Sequence, residues 1–296
     1  MGLRWDYGFS GERMKRNSRY EPTIQEIREA HGSKRAYERF LPLSRYLFRP
    51  LGFWVAWVAI RMGLTSEGIS WLSGLAGLAG CVLLVSEVPQ MLPVGIGLLA
   101  LFNLLDCVDG SIARAMKTQN PYGRFLDSVC GGVIDLAFWG IVGILAYRHP
   151  NLLQWPNPFG YGPLFWLAVG GAACFLSMWT NYLEFCFDEL LRPAWNRVRE
   201  RDGVAGEAPG TGGCIPTSEG LGGASWSAWG HVIATNLRVR ETHYALLLVT
   251  YVARTVDALL LTFMLFYLAY DVALLLVYSA RGREIKKVTL RHDAPG

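Results

Sequence analysis

Leu92-Pro-Val-Gly-Ile-Gly-Leu-Leu-Ala-Leu-Phe-Asn-Leu-Leu-Asp106-Cys-Val-Asp109-Gly110-Ser-Ile-Ala113-Arg114 is the stretch that decides the fold of this chain. Leu92–Leu105 carries no charge, and two acids then arrive within four residues. A third follows in Gly123-Arg-Phe-Leu-Asp127, just before the apolar stretch Val129–Tyr147. Ionised carboxylates are costly at membrane depth, so acids placed in such a setting mark a functional site by default. The ladder also has a gap, because one turn beyond Asp127 stands Gly131.

Composition supports a membrane setting. The 296 residues are 52% hydrophobic with mean hydropathy +0.24, and several apolar runs approach the length needed to cross a bilayer. The expected architecture is an all-α, polytopic membrane helix bundle. About six transmembrane helices are expected, at 67–86, 91–114, 122–147, 161–186, 241–256 and 258–280. Residues 243–280 form one apolar block in which Arg254 and Asp257 suggest a tight turn; a single tilted helix there would give five spans. Upstream, Ile24–Phe40 is charged enough for a surface helix. Ala36–Ile60 mixes Arg39, Arg45 and Arg49 with Phe, Leu and Trp, the pattern of an N-terminal interfacial amphipathic helix.

Charge distribution predicts the topology. Residues 1–49 hold eleven Lys/Arg against six Asp/Glu, while the loops at 87–90 and 148–160 share a single basic residue, Arg148. The positive-inside rule places the N-terminal arm, the 115–121 loop, the 187–240 segment and the basic tail in the cytoplasm, with both termini inside. The acid ladder then faces the cytoplasm, at the inner or plasma membrane if the chain is bacterial. The expected division is a basic arm at 1–35, a transmembrane domain at 36–280 and a basic tail at 281–296. Gly-rich residues 203–230 read as a flexible insertion. The start lacks an apolar signal core, and Asp6 argues against N-myristoylation. Six cysteines show no metal-ligand spacing and are expected as small buried hydrophobes without disulfides. Gly74, Gly77 and Gly80 recur every third residue, which suits close approach of a neighbouring helix.

The chemistry implied by the ladder follows from its spacing. Asp106, Asp109 and Ala113 share one helical face, and Gly110 stacks over Asp106. Two acids at i and i+3, with Asp127 from the next helix, form a mouth of hard oxygen ligands suited to Mg²⁺ or Mn²⁺. Gly110 and Ala113 leave room for a phosphate against the helix backbone. Arg114 offers a fork of donors for phosphate oxygens, and Lys117 and Arg124 add positive charge. Phosphoryl transfer on a membrane-embedded substrate is the reaction class this set serves. The bland alternative is a group of interfacial ion pairs among the same acids and bases. A transporter with a mid-membrane cation site would spread its acids over several spans, whereas these cluster at one end of two.

The run Asp106-x2-Asp109-Gly110-x2-Ala113-Arg114-x8-Gly123-x3-Asp127 resembles the signature of the CDP-alcohol phosphotransferases (CDP-alcohol phosphatidyltransferases). The resemblance extends more loosely over residues 36–280, and Leu64-Thr65-Ser66-Glu67-Gly68-Ile69-Ser70 sits where the family often has its entry to the first span. It implies a membrane transferase of phospholipid-type biosynthesis that moves a substituted phosphate from a CDP-alcohol, CDP-diacylglycerol among them, to an acceptor hydroxyl with release of CMP. It also implies a homodimer and no nucleic-acid partner. Asp106, Asp109 and Asp127 match the residues that hold two divalent ions. Gly110, Ala113, Arg114, Gly123 and, beside it, Asn120 match the nucleotide side.

The signature departs from the family at Gly131, where a fourth Asp acts as general base. A positioned base contributes about 10²–10⁴ in rate. Three explanations follow: replacement of the base from elsewhere, an acceptor already ionised, or a degenerate relative that binds nucleotide or lipid without turnover. Replacement candidates are Asp135 first, one turn further along the helix, then Glu67 and His243. Each also has an ordinary structural reading: a bundle-internal pairing for Asp135, an N-terminal helix cap for Glu67 and a headgroup-level residue for His243. Asn181 and Glu184 are expected either to line an acceptor pocket or to sit at the interface.

Overall fold

The computed structural model of the chain describes residues 21–32, 40–154, 162–201 and 226–292. Helices and turns make up these residues, and no strand occurs among them. In chain order the helices are α1 (Ile24–Ala30), α2 (Arg49–Arg61), α3 (Ser66–Leu84), α4 (Leu92–Ala115), α5 (Pro121–Arg148), α6 (Leu164–Cys186), α7 (Arg192–Arg201), α8 (Trp226–Arg238), α9 (Arg240–Ala253) and α10 (Val256–His292). Single π-helical turns lead into α2 (Ser44–Phe48) and join α6 to α7 (Phe187–Leu191).

Caps set several starts. A reciprocal capping box between Thr23 and Glu26 opens α1. Thr65 accepts from the Gly68 amide to open α3, and Asn120 accepts from the Gly123 amide at 2.7 Å to open α5. Because both caps border the acid ladder, local sequence fixes where its helices begin.

The α3–α4–α5 unit packs through glycines. A Cβ on Gly80 would stand 2.9 Å from the Gly95 carbonyl oxygen, and one on Gly74 would stand 2.9 Å from Cys130 Sγ. A Cβ on Gly77 would press on Ile134 and Phe102. The glycine stripe therefore does what its spacing predicts. Around this unit Leu99, Phe102, Phe138, Trp139, Trp166, Tyr244, Leu260 and Phe263 bury one core shared by α4, α5, α6, α9 and α10. Thr180 of α6 donates to buried Asp271 of α10 at 2.6 Å, tying those two helices inside the bundle. The outward faces are apolar too: Trp71, Leu75, Leu78, Phe175, Phe185 and Leu276 are all exposed. Apolar surface on both sides of a helix is the pattern of a bundle whose solvent is lipid.

Among the described residues, five helices are long and apolar enough to cross a membrane: Ser66–Leu84, Pro89–Ala115, Pro121–Arg148, Leu164–Glu200 and Val256–Val288. The expected count of six needs correction at 241–256. The turn foreseen near Arg254 and Asp257 exists, with Arg254 in the left-handed region at φ 58°. But α9 has 14 residues, about 21 Å at 1.5 Å per residue, short of a hydrocarbon layer of about 30 Å. The apolar count there merges a short, partly exposed helix with the start of α10.

Other boundaries shift as well. α10 continues to His292, so the tail expected from residue 281 is mostly helix. Helix α8 begins at Trp226, inside the segment read as flexible up to residue 230; the rest of that segment lies outside the described residues. The surface helix expected over Ile24–Phe40 ends at Ala30. Most of the 1–35 arm and residues 33–39 lie outside the described residues. In α2, Phe53, Ala56 and Ile60 face the bundle while Leu51, Trp54 and Val58 face out. Its two faces differ in burial more than in polarity, which is why the amphipathic reading caught the helix but not its start.

Candidate active site

Two cavities meet at Asp106. The larger, about 860 Å³, opens between α2, α3, α4 and the start of α5. Glu67, Asp106, Asp109, Gly110, Ala113, Arg114, Asn120, Gly123, Arg124 and Asp127 all line it. Nine of these residues are gathered by α4, α5 and the turn between them, and the tenth, Glu67, comes from the start of α3. Lys117 is the exception: it is absent from the lining and takes a left-handed backbone at φ 53° in the α4–α5 turn. The smaller cavity, about 260 Å³, lies deeper between α4, α5, α6 and α9. Asp106, Asp135, His243 and Asn181 line it, together with Arg238 and Arg240.

The carboxylates are held in different ways. Asp109 is buried and accepts from Ser70 Oγ at 2.5 Å and from the Gly110 amide. Ser66 donates to the Asp109 carbonyl oxygen at 3.0 Å, so α3 grips this turn of α4 twice. A buried charge requires such donors to offset its lost hydration. Asp106 accepts instead from Arg240 Nη1 at 2.8 Å. The Arg114 guanidinium folds back over Gly110, where a Cβ would stand 3.2 Å from Nη1. The absence of a side chain at Gly110 therefore makes room for Arg114 as well as for a phosphate.

Among the described residues, no three His, Cys, Asp or Glu side chains are grouped closely enough to cage a metal ion as they stand. Arg240 draws Asp106 aside, while Ser70 and the Gly110 amide draw Asp109. The donor chemistry nonetheless fits a hard divalent cation, because three carboxylates line one cleft and can rotate toward it.

The region around Gly131 differs from the sequence expectation. A Cβ on Gly131 would stand 2.8 Å from Arg240 Nη2 and 3.4 Å from Nη1. The guanidinium thus fills the space that a side chain at 131 would enter. Its Nη2 donates to Asp135 Oδ2 at 2.9 Å, and its carbon lies 5.1 Å over the Phe102 ring. Asp135, the leading base candidate, is therefore ion-paired to the same arginine as Asp106. Glu67 accepts from Asn120 Nδ2 at 3.2 Å at the rim of the larger cleft. His243 is buried among Phe138, Trp139 and Phe263, and its Nε2 donates to the Leu237 carbonyl at 2.8 Å. Asn120, expected beside the nucleotide, has its amide divided between the α5 cap and Glu67.

Sequence reasoning missed Arg238, Arg240 and Ser70. Glu184, a candidate for the acceptor pocket, instead makes a bidentate pair with Arg238 at 2.6 Å on both oxygens. The signal for Arg238 and Arg240 was present as Arg238-Val-Arg240-Glu241 immediately ahead of an apolar block. It read as loop charge because Arg238 lies 54 positions from Glu184, and Arg240 lies 134 and 105 positions from Asp106 and Asp135. Ser66 and Ser70, four apart at the mouth of α3, carried a signal of the same kind.

No curated protein matches the chain in a sequence search. Residues 65–180 match the family model described as CDP-alcohol phosphatidyltransferase. That span runs from the α3 cap to the last turns of α6 and contains every carboxylate and glycine of the 106–127 run. The segment that supplies most of the larger cleft is thus similar to the CDP-alcohol phosphatidyltransferase family.

Proposed function

We propose that the protein is an integral membrane transferase that moves a substituted phosphate group from a CDP-alcohol to an acceptor hydroxyl and releases CMP. The observation that carries this is the convergence of Asp106, Asp109, Gly110, Ala113, Arg114, Gly123 and Asp127 on one cleft of about 860 Å³, ample for a nucleotide. Asp106, Asp109 and Asp127 would hold Mg²⁺ or Mn²⁺, whose charge, when bound, neutralises the pyrophosphate and the leaving CMP. Arg114 and Arg124 bind phosphate oxygens, with Gly110, Ala113 and Gly123 leaving the backbone open beside them. Asn120 positions Glu67 and the start of α5 at the rim. The acceptor oxygen attacks the phosphorus that carries the alcohol, the bond to CMP breaks, and the hydroxyl proton must leave.

Asp135 is the proposed proton acceptor. It lines the smaller cavity beside Asp106, with Arg240 Nη2 2.9 Å from its Oδ2. His243 is the weaker candidate, because its Nε2 is committed to a backbone carbonyl. Glu67 lies in the larger cleft, away from that cavity. The setting is the inner or plasma membrane, with both termini and the cleft facing the cytoplasm and the chain working as a homodimer. Basic loops and exposed apolar helix faces support that arrangement.

A second reading, a relative that binds the donor without turnover, is favoured by one observation: Arg240 stands where the fourth carboxylate would be. Incubating the purified protein in lipid with Mn²⁺ or Mg²⁺ and a panel of CDP-alcohols and acceptors decides between them. CMP release establishes the transferase. Metal-dependent CDP-alcohol binding with no CMP from any pair establishes the second reading.

A further inference from the structure

We infer that Arg240 is a built-in cation that takes the place of a second metal ion, so that the site holds one divalent ion per chain. The inference rests on the transferase reading for its ligand set.

Three observations carry it. Arg240 bridges α4 and α5, with one guanidinium nitrogen 2.8 Å from Asp106 and the other 2.9 Å from Asp135. A planar fork can satisfy two carboxylates at once, which a divalent ion would otherwise have to do. The same guanidinium also fills the space above Gly131, 2.8 Å from where a Cβ would stand. Any ligand at 131 would meet that charge before it met a metal. Finally, Asp106 is the carboxylate common to both cavities, so the Asp106–Arg240 pair forms the wall between them.

A second dication on the Gly131 side of Asp106 would lie against a fixed positive charge in a poorly screened setting, where like charges repel strongly. Asp109, Asp127 and the remaining oxygen of Asp106 suffice as protein ligands for one octahedral ion completed by water and phosphate oxygens. The glycine leaves space on α5, and the guanidinium from α9 occupies it.

Counting Mn²⁺ bound to the full-length protein in lipid nanodiscs, by equilibrium dialysis in saturating CMP, tests this. One ion per chain is expected, with an electron paramagnetic resonance spectrum free of Mn²⁺–Mn²⁺ coupling. Gly131→Asp alone should stay at one, because the new carboxylate pairs with Arg240. Gly131→Asp combined with Arg240→Ala should rise to two, with a coupled spectrum. Two ions in the unaltered protein, or one in the double variant, would overturn the inference and leave the transferase reading intact. No bound Mn²⁺ in the unaltered protein would instead overturn that reading. If the double variant does not fold, the count in the unaltered protein decides alone.

Discussion

The two cavities that share Asp106 are built on different principles. The larger is assembled by chain neighbours: α4, a five-residue turn and α5 deliver Asp106, Asp109, Arg114, Gly123 and Asp127 within 22 positions. The smaller is assembled by distant contacts, with Arg240 reaching Asp106 and Asp135 across 134 and 105 positions. Short-range spacing leaves a pattern that can be read in one dimension. Long-range pairing leaves two unremarkable residues, each plausible alone as surface charge.

If this contrast is correct, the two halves should fail differently. The largest effect is expected in the donor cleft. Asp109→Asn removes a charge on which the developing phosphate charge depends, and CMP release should fall about 10³-fold, the upper range for losing one such group. Retained donor binding with normal turnover would break the comparison, since it would make the larger cleft dispensable.

Next comes the acceptor side. Asp135→Asn should lower CMP release about 10²-fold, the lower range for losing a positioned base. Glu67→Gln should change turnover much less, because Glu67 lies outside the smaller cavity. Equal losses in both variants would erase the functional division between the cavities.

A smaller effect is expected on the frame beneath both. Gly80→Ala places a Cβ 2.9 Å from the Gly95 carbonyl, a backbone atom that cannot step aside. Thermal unfolding in detergent should show a cost of about 2 kcal/mol, the scale of overpacking a tight contact. Smallest is Asn120→Ala, which removes the α5 cap and the bond to Glu67. Losing a cap costs about 1 kcal/mol, and donor affinity should weaken more than turnover because the cap orients the rim.

The larger cleft was legible for a physical reason. Helical periodicity converts spacing into geometry, so Asp106, Asp109 and Ala113 necessarily share a face once α4 forms. Lys117 lies beyond the end of α4, in a turn with a left-handed backbone, so helical spacing does not fix its position. Asp135 stood out because it lies on the same helix as Asp127, and a pairing inside the bundle was an expected reading, but Arg240 as its partner was not. His243 read as a headgroup-level residue or a base, whereas its burial among aromatic rings depends on how α9 inserts between α5 and α10. The sixth span failed for a related reason. Hydropathy measures apolar content, and a 14-residue helix can be as apolar as one long enough to cross a bilayer.

By itself, the sequence determined the class of this protein: a membrane helix bundle with a carboxylate–glycine–arginine run at the mouth of two adjoining helices. It determined the gap at Gly131 too, since a missing residue is visible in one dimension. What fills the gap was decided by the tertiary structure alone. Arg240 becomes the partner of Asp106 and Asp135 only when α9 folds against α4 and α5, because an ion pair is set by distance in space and leaves no periodic trace along the chain.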